Sequence, residues 1–249
     1  MALDVHRTPP PAPVRPPQSE GEMTIVEHLL ELRQRLTVSA FALVITTILS
    51  AIFLTEKALY YLILPSGLEK LMVIRPTEAF VTYMKVALVL GAAIAMPVLI
   101  YEFLAFILPA LLPHEKKYLW IAVPGTFFSF ACGLIFGYIV ILPFALHYLG
   151  HFQNEVFNVQ WTADEYLDFV SGFLFWIGLS FETPLLLFFM AKLRIVNTQR
   201  LSRYRKYALL LAFVIAAIIT PTPDPINQTL VAIPMYLLYE IGVLLSRLA

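Results

Sequence analysis

Charged residues are scarce in this chain. Only 14% of its 249 residues are Asp, Glu, Lys or Arg, whereas soluble domains average about 25%. Apolar residues make up 59%, so the composition predicts an integral membrane protein. The formal net charge of zero gives no reason to expect a nucleic-acid partner. A single cysteine, Cys132, excludes an intrachain disulfide and leaves the redox compartment undefined.

Several catalytic motifs are also missing from the sequence. There is no GxxxxGK[ST] nucleotide loop, no HExxH, no CxxC and no GxSxG. His147 and His151 are four residues apart but lack a clear third ligand, so we favour a wetted interfacial pair over a metal site. We therefore expect no enzyme activity, no cofactor and no metal, and any work must draw on an energy source other than a bound nucleotide.

The first 22 residues differ from the rest of the chain. They hold six prolines by position 17 and no apolar run, which predicts a disordered proline-rich tail over 1–22. Residues 23–249 are then expected to form one six-span membrane domain. Either Met23 is the true translation start, or the tail is dispensable.

Charge-poor stretches predict six transmembrane helices and an all-α fold. They cover residues 36–55, 86–113 (interrupted only by Glu102), 118–146, 169–191, 207–220 and 226–239. The last two fall below the roughly 20 residues that a full span needs. Prolines within the spans can bend helices, which favours a concave bundle of kinked helices: Pro97, Pro124, Pro143, Pro184 and Pro234. Gly133 and Gly137 form a GxxxG, which indicates either close helix contact or chance.

The distribution of basic residues predicts the orientation. Of 17 Lys and Arg residues, only Lys57, Lys70, Arg75 and Lys85 fall opposite the termini, and the other 13 lie on the side of the termini. The positive-inside rule therefore places both termini in the cytoplasm. Residues 56–77, which include Pro65, are expected to form short interfacial helices on the external side.

Glu182 is the one ionisable residue in the stretch 169–191. A carboxyl group near the middle of a span costs roughly 2.5 kcal/mol or more if it faces lipid. We expect it to face another helix, a cavity or a partner. It is either a structural residue bonded to a neighbouring helix or a functional one.

Two polar segments border the spans on the side of the termini. Residues 26–36 have apolar positions at helical spacing and predict an amphipathic helix at the interface before span one. Its Glu31 and Arg35 form either a surface ion pair or a carboxylate that can exchange partners. The second segment is the loop after span two, where Glu115 lies among basic residues and near Phe106. This loop is either an ordinary polar loop or part of a functional site.

Taken together, these segments resemble the TatC family, the polytopic receptor subunit of the twin-arginine protein translocase. The resemblance rests on HLLELRQRL at 28–36, FILPAL at 106–111 followed by HEKK at 114–117, SFETP at 180–184, and TPTPD at 220–224 with QTLVAIPM at 228–235. It covers residues 25–249 in order and excludes the tail. Pro113 stands where a basic residue often precedes the His-Glu pair.

The resemblance implies a receptor for folded proteins that carry twin-arginine signal peptides. Carried over by position, Glu31 and Glu115 would pair with the two arginines, and Phe106 would pack against the apolar part of the peptide. Arg33 and Arg35 would hold the carboxylates in place, because a cationic ligand repels them.

The resemblance also implies partners within the membrane. Glu182, with Gln228 nearby, would contact single-span subunits of the TatA and TatB type in a hetero- and homo-oligomer in the cytoplasmic (inner) membrane. Transport would draw on the proton gradient, for which Glu182 and Asp224 are the candidate proton-linked groups. Asp224 could instead cap the sixth span, which we favour.

Two other functions remain open. The chain could be a proton-coupled secondary transporter of a small solute with Glu182 as its relay, although it shows neither an internal repeat nor a second charge near the membrane midplane. It could also be a structural scaffold without a ligand, which would leave Glu31 and Glu115 unused.

Overall fold

A computed structural model describes residues 25–107, 116–151, 160–193, 195–220 and 224–248. The tail over 1–22 and Glu115 lie outside these ranges. The helices are α1 (Ile25–Phe53), α2 (Thr55–Ile63), α3 (Glu78–Ile107), α4 (Lys116–Phe136), α5 (Leu142–His151), α6 (Ala163–Lys192), α7 (Thr198–Arg203), α8 (Arg205–Ile219) and α9 (Pro225–Leu245). A 3₁₀ turn (Leu64–Ser66) follows α2, and a π turn (Gly137–Ile141) joins α4 to α5.

The predicted all-α polytopic membrane fold is confirmed. Among the described residues, five helical stretches are long and apolar enough to cross a membrane: Val26–Phe53, Glu78–Phe106, Val123–His151, Ala163–Lys192 and Pro225–Leu245. The sixth apolar helix, α8, has 15 residues and is about 22 Å long. The expected short fifth span is therefore confirmed. Four of the five prolines noted in the spans lie inside helices: Pro97, Pro124, Pro184 and Pro234.

The sixth span is longer than predicted. Helix α9 continues to Leu245 and has 21 residues, or about 31 Å, so the short span expected over 226–239 is wrong. The prediction ended at the charge of Glu240. In the structure Glu240 accepts a hydrogen bond from Tyr236 at 2.7 Å and forms an ion pair with Arg205 at 2.9 Å, and the paired carboxylate does not interrupt the helix.

The amphipathic segment over 26–36 is not a separate interfacial helix, as was expected. It is the first part of α1, which runs unbroken from Ile25 to Phe53. The segment contains no proline or glycine that would end a helix. Its Arg35 is paired to carboxylates on α1 and α3, so the charge does not force the chain to leave the bundle.

Helix α6 lies at the centre of the bundle and packs against α3, α4 and α9, while α1 packs on α3 and α8 on α9. Small residues allow the closest approaches. A Cβ built on Gly91 of α3 would lie 2.5 Å from the Cα of Thr47 on α1. Gly133 and Gly137 both face α6, so the helix contact that the GxxxG suggested is confirmed.

The two ends of the bundle carry different polar groups. We call the end with residues 25–35, 102–107, 192–193, 195–206 and 240–248 the tail end, and the end with residues 54–85 and 160–168 the loop end. At the loop end, Lys85 donates to Asp164 and Asp168 at 2.7 Å each. Glu78 accepts the backbone N–H groups of Ile74 and Arg75 at 2.8 and 3.0 Å. These bonds tie α3 to α6 and to the preceding loop.

The loop end also contains the short helices expected over 56–77. Helix α2 and the 3₁₀ turn that holds Pro65 occupy its first half. Gly67 then adopts a positive φ of 72°, a conformation that favours glycine. Met72 next pairs with Thr162, the residue that caps α6, so this loop is bonded to the start of the central helix.

Candidate functional site

A three-residue ion-pair network lies at the tail end. Arg35 of α1 donates through Nη1 to Glu102 Oε2 of α3 at 2.9 Å and through Nη2 to Glu31 Oε1 of α1 at 3.3 Å. The exposed side-chain fractions are 31% for Arg35, 18% for Glu31 and 10% for Glu102. Two carboxylates therefore share one guanidinium, and the network keeps a formal charge of −1.

Glu31 is the under-bonded member of this network. Its Oε1 has the longer of the two contacts with Arg35. Its Oε2 is buried and has no hydrogen-bond partner in the described part of the chain. An ionised carboxylate can accept up to about four hydrogen bonds, so Glu31 has unused capacity for donors. A cationic donor would also neutralise the remaining charge.

Glu31 and Arg35 line an open groove of about 620 Å³ along the start of α1, together with Glu27, Leu30 and Gln34. The groove thus combines acidic groups with an apolar side chain. Beside it, the rings of His28 and Phe106 stack at 4.5 Å between centroids with an interplanar angle of 12°. Phe106 therefore lies next to the α1 segment, as its predicted role requires. That role remains a prediction.

The two arginines of the α1 motif occupy different surroundings. Arg35 contacts Glu31, as expected, and also Glu102, which was not expected. Glu115, the other carboxylate that Arg35 was expected to hold, lies outside the described residues. Arg33 instead lines an apolar groove with residues such as Leu29 and Leu36, and it forms no ion pair within the described ranges. Residues two apart point to different sides of a helix, so Arg33 does not hold Glu31, as had been expected. Its expected contact with Glu115, which lies outside the described residues, stays a prediction.

Glu102 also belongs to this network. From the sequence alone, Glu102 was noted only as an interruption of span two. A signal was available, because a lone carboxylate in an apolar stretch is a functional candidate by default, as was argued for Glu182. The partner could not be read from the sequence, since Arg35 lies 67 positions away. Only the packing of α1 on α3 brings the two charges together.

Glu182 is completely buried within the chain, with 0% of its surface exposed. Neither carboxylate oxygen makes a hydrogen bond of good geometry, although the backbone of Phe130 on α4 is close enough to interact with the group. Direct contact with a partner helix would therefore require α6 or its neighbours to shift. The structural alternative, a Glu bonded to a neighbouring helix, has only this contact with the Phe130 backbone to support it among the described residues.

Gln228 does not lie beside Glu182, contrary to expectation. A Cβ on Gly242 of α9 would be 3.1 Å from the Cα of Pro184, so Gly242 marks the level of Glu182 on α9. Gln228 precedes Gly242 by 14 residues, which is about 21 Å along the helix. Its side chain donates instead to the Phe213 carbonyl of α8 at 2.9 Å.

Asp224 caps α9, the role that was favoured for it. Its Oδ1 accepts the backbone N–H of Asn227 at 2.8 Å, and its Oδ2 accepts the Asn227 side chain at 3.2 Å. Within the described ranges, no three His, Cys, Asp or Glu side chains come close enough to hold a metal ion. The rings of His147 and His151 lie 4.2 Å apart between centroids at an interplanar angle of 38°, without a third ligand among those residues.

The fold, together with the ion-pair network of Glu31, Arg35 and Glu102, defines an all-helical, multi-pass membrane protein with an acidic site at one end of its bundle. Comparison with known proteins narrows the class further. The family model of the Sec-independent protein translocase protein TatC matches residues 27–234. The chain belongs to the TatC family, and it is thus a component of a protein translocase.

Individual relatives agree with this assignment. The chain is 35% identical to the Sec-independent protein translocase protein TatC of Carboxydothermus hydrogenoformans, covering 90% of this chain and 93% of the relative. The TatC of Aquifex aeolicus is 37% identical, with 91% and 96% covered. A crystal structure described as the twin-arginine translocase receptor TatC superposes with a TM-score of 0.78 at 37% identity, over 89% of this chain and 99% of the other.

Proposed function

We propose that this chain is the receptor subunit of a twin-arginine translocase and binds twin-arginine signal peptides at the tail end. Glu31 and Glu115 each pair with one of the two arginines. The observation that carries the proposal is the under-bonded carboxylate of Glu31 in an acidic groove. The similar crystal structure is described as a translocase receptor, and the groove gives that description a chemical basis here.

The chemistry of the two ligand residues explains why both must be arginine. A guanidinium donates two parallel hydrogen bonds to one carboxylate, whereas a lysine ammonium acts as a single point charge. Such a fork uses both oxygens of Glu31, one of which already contacts Arg35 at 3.3 Å, so we expect that contact to loosen when the ligand binds. Phe106, stacked on His28, offers an aromatic surface for the apolar residues that follow the arginines.

We propose further that the tail end is cytoplasmic and that the chain assembles single-span subunits of the TatA and TatB type, with transport driven by the proton gradient. The excess of Lys and Arg on this side supports the orientation. Glu182 is the candidate for the membrane step, because it is a carboxyl group buried in the bundle that makes no hydrogen bond of good geometry with the described residues. Because Glu182 is buried, a partner helix could contact it only if the packing around α6 opened at the same time.

Binding of a fluorescent twin-arginine signal peptide to the purified full chain in detergent tests the proposal. Twin-lysine peptide is the ligand control, and Glu115→Ala is the site variant. We expect a preference for arginine of roughly tenfold or more, which Glu115→Ala abolishes. Equal binding of the two peptides by the unaltered chain would refute the proposal.

The alternative of a small-solute transporter gains no support from the structure. A proton relay must be reached from the aqueous phase, and Glu182 has no exposed surface. A strain lacking the chain distinguishes the two functions. Loss of export of folded twin-arginine substrates supports the receptor, and normal export with loss of solute uptake supports the transporter.

A further inference from the structure

Glu102 has no role in the function proposed so far, yet it is the least exposed member of the tail-end network. Arg35 is 2.9 Å from Glu102 and 3.3 Å from Glu31. The guanidinium is thus bound more closely to the carboxylate on α3 than to the carboxylate on its own helix. The two contacts use different nitrogens, Nη1 and Nη2, so one can break while the other stays.

This arrangement matters because Arg35 occupies the place that a cationic ligand needs. Two like charges a few ångströms apart repel each other, and repulsion grows when the surroundings exclude water. A ligand arginine that approaches Glu31 therefore meets a resident arginine at the same carboxylate. A fork across both oxygens of Glu31 uses Oε1, which Arg35 contacts, so a ligand bound in this way displaces Arg35. An arginine displaced without a second partner would be costly at a partly buried site.

We propose that Glu102 is a positioning residue that retains Arg35 when the twin-arginine peptide takes Glu31. Arg35 exchanges its shared position for a bidentate pair with Glu102, and Glu31 becomes fully available to the ligand. The inference rests on the proposed function and deepens it, because it explains how a site that contains an arginine accepts another one.

The charges of the two states agree with this exchange. In the free chain, Glu31 and Glu102 share one guanidinium and carry a net charge of −1. In the bound state, each of the two carboxylates has its own guanidinium and the net charge is zero. Each carboxylate can then accept a fork of two parallel hydrogen bonds.

A double-mutant cycle on the full chain tests the exchange. The four proteins are the unaltered chain, Glu102→Gln, Arg35→Gln and the double variant, and the measurement is the affinity of the fluorescent twin-arginine peptide. In Glu102→Gln, Arg35 has only Glu31 and stays there, so we expect affinity to fall roughly tenfold. In the Arg35→Gln background no exchange is needed, and Glu102→Gln should change affinity less than about twofold.

Non-additivity separates this inference from a general effect of charge. Glu27→Gln is the control for charge, because it removes one negative charge from the same groove. We expect its effect on peptide affinity to be equal in the unaltered chain and in the Arg35→Gln background. If Glu102→Gln also weakens binding equally in both backgrounds, the exchange is refuted. Thermal unfolding of each variant, which should stay within a few degrees of the unaltered chain, separates lost binding from lost folding.

The same series distinguishes failure of the exchange from failure of the proposed function. If the unaltered chain prefers the twin-arginine to the twin-lysine peptide and the cycle is additive, only the exchange is overturned. If the unaltered chain shows no such preference, the receptor function falls, and the exchange falls with it. A Glu102→Gln variant that unfolds early is replaced by Glu102→Asp, which keeps the charge but shortens its reach. We expect this variant to give an intermediate loss of affinity, and unchanged affinity would contradict the exchange.

Discussion

Gly133 of α4 and Gly178 of α6 bring two helix backbones into direct contact. A Cβ built on Gly133 would lie 2.8 Å from the Cα of Gly178 and 2.9 Å from the Cβ of Phe181. Lipid offers no hydrophobic force that pushes helices together, so close packing of small residues stabilises the pair. The contact fixes α4 against the part of α6 that carries Glu182.

Replacing Gly133 by alanine should separate these two helices. We expect Gly133→Ala to lower the free energy of unfolding by about 1–3 kcal/mol, because the added methyl group meets backbone rather than a movable side chain. Gly172→Ala on α6 is the matched control, since a Cβ there meets nothing within 4 Å. Thermal unfolding in detergent compares the two, and equal midpoints would contradict the packing described here.

Lys85 should stabilise the loop end through its two ion pairs. Lys85→Gln leaves Asp164 and Asp168 without the ammonium that bridges them. Because all three side chains are at least one-third exposed, we expect a loss of only about 1 kcal/mol. Lys57→Gln removes the same charge from an exposed position of α2, where Lys57 forms no ion pair with any residue that the structure describes. If the two variants unfold at the same temperature, the bridge contributes nothing.

Glu182 should be unfavourable for stability and necessary for transport. Glu182→Leu replaces an unbonded buried carboxyl group by an apolar group of similar size, so we expect a gain of about 1–3 kcal/mol in the free energy of unfolding. Export of twin-arginine substrates should be lost, while signal-peptide binding at the tail end stays normal. The measurements are thermal unfolding, peptide affinity and export in cells.

Ser180→Ala is the matched control for Glu182, because Ser180 is also a buried polar residue of α6 but donates to the Trp176 carbonyl at 2.7 Å. We expect no gain in stability from this change. If Glu182→Leu abolishes peptide binding as completely as it abolishes export, the tail-end site and the membrane site are not separate functions.

The orientation of the chain can be tested by chemical labelling. In a Cys132→Ser background, Glu69→Cys places a thiol at an exposed loop-end position and Arg203→Cys places one at an exposed tail-end position. An impermeant maleimide added to intact spheroplasts should label position 69 and should label position 203 only after the membrane is opened. The reverse pattern would place the termini outside the cytoplasm.

The sequence alone located the apolar helices, because a stretch without charge is directly visible. It misjudged helix ends where a charge is neutralised by a distant partner. Glu240 was taken as the limit of the last span, but its bonds to Arg205 and Tyr236 allow α9 to continue. In the same way residues 26–36 were expected to form an interfacial helix before span one, whereas they continue into α1, where Arg35 is paired with Glu31 and Glu102.

The candidate site was predicted only in part, for a related reason. Motif spacing identified Glu31 and Arg35, which are neighbours on one helix. It could not identify Glu102, whose contact depends on the packing of α1 against α3. It also paired Glu182 with Gln228, although the register of α6 and α9 separates them along the bundle. Register between helices depends on three-dimensional packing that residue spacing does not encode.

The role of Glu31 is tested most directly by the affinity of a twin-arginine signal peptide for the full chain and for Glu31→Gln. Glu69→Gln, which removes the same charge from the exposed loop end, is the control. Loss of a charge-assisted pair predicts that Glu31→Gln weakens binding roughly 10- to 100-fold and reduces the preference over twin-lysine peptide, while Glu69→Gln binds normally. Unchanged affinity in Glu31→Gln would contradict a receptor site built on this carboxylate.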